Sequence, residues 1–123
     1  MSEAKFAPLF RRLKEVMVPL EPYLTLLKDE PGNYSLQSHV AGPHGRPIWF
    51  GGVQINKRYV SYHLMPVYVH PELLEDTSVG LTKRMQGKSC FNFTKEDEVL
   101  FAELEQLTRR GFERFEKRVI LDA

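Results

Sequence analysis

Ile48-Trp49-Phe50-Gly51-Gly52-Val53-Gln54-Ile55-Asn56-Lys57-Arg58-Tyr59-Val60-Ser61-Tyr62-His63-Leu64-Met65 decides the fold. Two β-rich runs, Ile48 to Ile55 and Tyr59 to Met65, flank the polar turn Asn56-Lys57-Arg58. In any tight antiparallel pairing Val53, Ile55, Val60, Tyr62 and Leu64 share one face. Gln54, Tyr59, Ser61 and His63 share the other. One apolar and one polar face is the pattern of a sheet buried on a single side. The apolar parity slips between Ile48/Phe50 and Val53/Ile55, and Gly51-Gly52 sits at the slip. A β-bulge there accounts for both observations.

On the N-terminal side, Asp29-Glu30-Pro31-Gly32-Asn33 is a turn signal between the run Tyr23 to Lys28 and the alternating run Tyr34 to His39. These make a second hairpin. Ala41 to Pro47, rich in Gly and Pro, is the loop joining the two hairpins. Phe6, Leu9, Phe10, Leu13, Val16, Met17 and Leu20 recur at helical spacing, and Pro19 and Pro22 end that helix.

On the C-terminal side, Pro71 opens an uneven helical stretch to about Arg84, interrupted near Ser78 to Gly80 and closed by Gly87. Ser89 to Phe93 reads as a strand. Thr94, with Asp97 three residues on, has the pattern of a capping box for a helix from Lys95 to about Val119. That helix carries the stripe Leu100, Leu104, Leu107, Gly111, Phe112, Phe115 and Val119. The order α-β-β-β-β-α-β-α predicts an α+β fold over residues 1–123 as a single domain. It has a mostly antiparallel sheet of about five strands, packed against N-terminal and C-terminal helices.

Composition narrows the function classes. The chain has 123 residues, 17 basic and 16 acidic, for a net charge of +1. That balance lacks the basic excess of a nucleic-acid binder. The lone cysteine, Cys90, allows no internal disulfide and requires no oxidising compartment. No signal peptide and no apolar run long enough to span a bilayer is visible, so a cytoplasmic location without membrane contact is expected.

No motif declares a reaction. His39, His44, His63 and His70 show no metal-ligand spacing, and Cys90 has no Cys-x-x-Cys partner. No metal, cofactor or catalytic residue is assigned. Gly87-Lys88-Ser89 lacks the upstream glycine and spacing of a phosphate loop, although Lys57-Arg58, Lys83-Arg84 and Lys88 leave an anion contact open. The acids and bases of the last helix match its dipole and read as a solvated face. What remains is the polar face of the central hairpin. Tyr59, His63, Gln54, Ser61, Trp49 and Lys57 combine apolar bodies with polar tips, as ligand pockets and protein interfaces do. Ordinary sheet packing uses the same residues.

The stretch Ile48 to Pro66, with Pro71-Glu72-Leu73-Leu74, Gly87-Lys88-Ser89-Cys90-Phe91-Asn92-Phe93 and the final helix, resembles the YdhG-like family of small bacterial proteins. The resemblance runs from about Tyr34 to Phe115. It implies the same α+β architecture and no catalytic residues. Some members carry the label of a frataxin-like intracellular iron chaperone, a role that relies on an acidic ridge along the first helix. Here that helix carries Lys5, Arg11, Arg12 and Lys14 against Glu3 and Glu15.

The leading expectation is a non-enzymatic binding or accessory module. Its partner is a small molecule, a protein or a second copy of the chain, held at the polar face of the hairpin. One alternative is an intracellular iron carrier. Another is a small enzyme using His63 or His39 as general base near Tyr59 or Cys90.

Overall fold

A computed structural model describes residues 2–42 and 45–122, with side chains for 4–42 and 45–115. His44 and the Val119 side chain lie outside the described residues. The chain begins with helix α1, Ser2–Met17. Pro19 and Pro22 fall in a 3-10 turn over Val18–Tyr23, which swings the chain towards the sheet.

Strands β1 (Thr25–Glu30), β2 (Asn33–Ala41), β3 (Pro47–Ile55) and β4 (Val60–Leu64) follow. β1 and β2 join through Pro31-Gly32, where Gly32 has φ +80. Proline then positive-φ glycine is the order a type II turn demands. The strands run antiparallel in spatial order β1-β2-β3-β4-β5, with β5 formed by Cys90–Phe93. Arg84 to Gln86 returns along the outer side of β5, with Met85 bridged to Phe91 and the Gln86 amide donating to the Cys90 carbonyl at 2.9 Å.

The expected bulge is present. β2 meets β3 as Leu36↔Gly51 and then Gln37↔Trp49, so Phe50 is the extra residue. Phe50 and Gly51 both turn to the helices. Phe50 meets Phe112 and Phe115, and a Cβ on Gly51 would lie 2.9 Å from the Met17 methyl. That Cβ would also overlap the His63 carbonyl oxygen, and one on Gly52 would overlap the Tyr34 carbonyl oxygen. Both glycines therefore serve close backbone approach.

Val53, Val60, Tyr62 and Leu64 are buried as the hairpin's parity requires, and Ile55 packs against them partly exposed. Tyr34, Leu36, Phe91 and Phe93 complete that face. The α1 stripe from Phe6 to Met17 covers it, together with Phe101, Leu104, Leu107, Phe112 and Phe115 of α4, Glu98–Asp122. Inside this core the Tyr62 hydroxyl and Thr108 Oγ1 bond at 2.6 Å. Arg12 of α1 donates three hydrogen bonds to the Glu98 carboxylate, from Nη2 to Oε1 at 2.8 Å and from Nε to Oε2 and Oε1 at 3.0 and 3.1 Å. The carboxylates of α4 thus brace neighbouring elements in part, beyond forming a solvated face.

Two details depart from the sequence reading. The α4 cap is Asp97, whose Oδ1 accepts from the Leu100 amide at 3.2 Å; Thr94 lies in the connection before it. A helix that the sequence reading did not place, α2 (Met65–Val69), follows β4 directly, and its first residue is the one read as the end of the strand. It packs Pro66 on Gly111, where a Cβ would stand 2.9 Å from the proline. The broken stretch after it is a 3-10 turn, Pro71–Leu74, and the short helix α3, Val79–Thr82. Ser78 caps α3, and its own amide and hydroxyl donate to Glu103 of α4 at 2.8 and 2.6 Å.

Candidate functional site

The sheet face turned away from α1 and α4 gathers the polar residues of four strands. Register places Ser35 opposite Gly52, Gly52 opposite His63 and His63 opposite Cys90, one row across the sheet. Gly52 leaves that row bare at its centre. Trp49 reaches both of its neighbours. The indole Nε1 donates to Ser35 Oγ at 2.7 Å, and the ring sits 5.4 Å from the His63 ring at an interplanar angle of 48°. An aromatic ring lying across a strand glycine restores packing that the glycine gives up. Trp49 and His63 are both half-buried, so each keeps an accessible edge.

Cys90 ends the row. Its Sγ stands 4.0 Å from His63 Nε2 and donates to Asn92 Oδ1 at 3.3 Å, and Asn92 Nδ2 donates to Gln86 Oε1 at 2.7 Å. Burial lowers the His63 pKa and raises that of Cys90. Both shifts favour the neutral forms. A nucleophilic cysteine needs the opposite, a thiolate supported by a nearby cation. The pair is built as a neutral imidazole beside a hydrogen-bonded thiol.

The other sequence-predicted residues distribute around this centre. Gln54 is exposed on the same face. Ser61 pairs with Gln54 and shares the face, but it is buried beneath Asn56, whose Nδ2 donates to Ser61 Oγ at 3.0 Å. Tyr59 is half-buried just before β4, and Lys57 is exposed in the turn. The structure therefore brings Trp49 and His63 together, keeps Gln54 beside them and covers Ser61. Ser35 and Gln86 join the site without having been read from the sequence. The alternation of β2 could have marked Ser35, but only the strand order shows which residue it faces.

The remaining chemistry-bearing groups are engaged elsewhere. His39 is exposed on β2. His70 Nδ1 accepts from Arg114 at 3.3 Å, and Arg114 also binds Glu72. Lys88 lies 5.9 Å over the Tyr68 ring. Among the described residues no three His, Cys, Asp or Glu side chains converge as a metal site. Among them, too, no helix is long and apolar enough to cross a membrane.

Comparison with protein-family models, with curated proteins and with solved structures found no match to this chain.

Proposed function

We propose that this chain is a non-enzymatic binding module that presents the Trp49–His63 face of its sheet to a small ligand or a protein partner. The observation that carries the reading is the half-buried indole held over Gly52 by Ser35 and against His63. A ring fixed by neighbours offers contact area without much further loss of side-chain entropy. Hydrogen-bonding groups surround it, as in sites that orient a ligand. Among the described residues, the Cys90–His63 pair on this face is poorly arranged for nucleophilic catalysis. Its cysteine–histidine separation is 4.0 Å, and burial opposes charge on both partners.

Trp49 is the sole tryptophan, so its emission reports on this face alone. A fragment library titrated against the full chain is expected to give hits that change the emission saturably, and His63→Ala is expected to weaken them about tenfold or more. Hits that leave the Trp49 emission unchanged, or that His63→Ala does not affect, would remove the support for this face.

A further inference from the structure

The row of side chains across the sheet ends in two metal-ligating atoms. Cys90 Sγ and His63 Nε2 stand 4.0 Å apart, on residues directly paired between β4 and β5. The thiol donates to Asn92 Oδ1, so no proton bridges the gap between sulfur and nitrogen. The width of that gap discriminates between geometries. Bonds of about 2.3 Å to thiolate sulfur and about 2.0 Å to imidazole nitrogen put the two atoms about 3.5 Å apart at a tetrahedral angle and about 4.3 Å apart in a straight line. The observed 4.0 Å lies nearer the linear limit, and the slightly shorter bonds of a two-coordinate ion bring that limit closer still. Both atoms are already held in place. Trp49 packs on the His63 ring, and Asn92, itself bonded to Gln86, fixes the thiol. Among the described residues no third His, Cys, Asp or Glu completes the set, which removes zinc and the other ions that need four or more donors. The side chains touching the pair, Trp49 and Asn92, are uncharged.

We infer that Cys90 Sγ and His63 Nε2 together bind one soft monovalent ion, copper(I), in near-linear two-coordinate geometry. This rests on the Trp49–His63 face being a binding surface and names the ligand of one part of it. Thiolate and imidazole are the donors that copper(I) prefers. On binding, the Cys90 S–H bond breaks, its proton leaves to water and its electron pair forms the sulfur–copper bond. The hydrogen bond to Asn92 is given up. His63, with its proton on Nδ1, supplies the Nε2 lone pair. No oxidation state changes. One thiolate cancels the single charge of the ion, so the half-buried site stays neutral, whereas a divalent ion would leave a charge there without a counter-ion.

The test is titration of the full, reduced chain with copper(I) under ascorbate and without oxygen, and with silver(I) nitrate in chloride-free buffer as a redox-silent probe. Imidazole-nitrogen NMR and Trp49 emission are followed. The expected result is one ion per chain, a shift of the His63 Nε2 signal with those of His39 and His70 unmoved, and a saturable change in Trp49 emission. Cys90→Ser abolishes uptake at one equivalent. His63→Gln weakens it at least about tenfold, read by competition with bicinchoninate, and zinc binds at least about a hundredfold more weakly than copper(I). No uptake of either ion overturns the inference. So does uptake that leaves the His63 signal unmoved or that His63→Gln does not weaken, since the thiol then acts alone, and so does zinc binding as tightly as copper(I). Fragment hits at Trp49 without copper(I) uptake overturn this inference alone, and the absence of both removes the reading of the face as well.

Discussion

At the scale of single residues, the most informative groups are polar ones that the core tolerates only because they are paired. Tyr62 is fully buried on the apolar side of the central hairpin, and its hydroxyl meets Thr108 at 2.6 Å. Tyr62→Phe strands the Thr108 hydroxyl and is expected to cost about 1–2 kcal/mol. The double variant Tyr62→Phe/Thr108→Val removes both partners and is expected to cost less than the two single changes summed. A double-mutant cycle by urea unfolding checks this. His63 gives a pH signature. Its folded-state pKa lies below the ordinary value, because burial disfavours the imidazolium. As pH falls below about 6.5, the unfolded chain takes up a proton that the folded chain resists. Stability contributed by neutral His63 is therefore whole above that pH and is lost on acidification towards the folded-state pKa. Urea midpoints between pH 7.5 and 5 are expected to fall less steeply in His63→Gln than in the native chain.

At the scale of elements, legibility followed how local the deciding interaction is. The central hairpin was readable because strand parity is a property of adjacent residues, and the glycine pair marked the bulge to within one position. The start of α4 was not readable, since Thr94 and Asp97 are both good cap residues three apart. The structure uses residues 94–97 to cross from β5 to the helix layer, which leaves Asp97 at the first turn. Asp97→Ala is expected to cost about 1 kcal/mol and Thr94→Ala within about 0.5 kcal/mol of nothing, by thermal or urea unfolding. Equal effects at the two positions would contradict the assigned cap. Helix α2 was missed for a different reason. Met65 continues a β-rich run, and the contact that holds Pro66 in the first helical turn comes from Gly111, far along the chain. The edge strand β1 shows how the sheet protects its free side. All its residues are exposed, but a register shift at Leu27 and the charges Lys28, Asp29 and Glu30 interrupt a flat template for pairing.

At the scale of the whole molecule, two amphipathic helices from opposite ends of the chain cover one face of a five-stranded meander. The face they leave holds the candidate site. Sequence parity had already put Gln54, Ser61 and His63 on that face. It could not show that Cys90 would stand beside His63, because neighbour order in a sheet is a tertiary property. Nor could it show that Ser61 would be covered by Asn56. The most direct measurement is paramagnetic relaxation by a soluble gadolinium chelate, read on side-chain NMR signals of the full chain. The account predicts strong relaxation of the Gln54 side-chain amide and measurable relaxation at the Trp49 indole, with the methyl groups of Val53, Val60 and Leu64 unaffected. Relaxed Val53, Val60 and Leu64 methyls, with the Trp49 and Gln54 signals protected, would mean that the helices cover the other face.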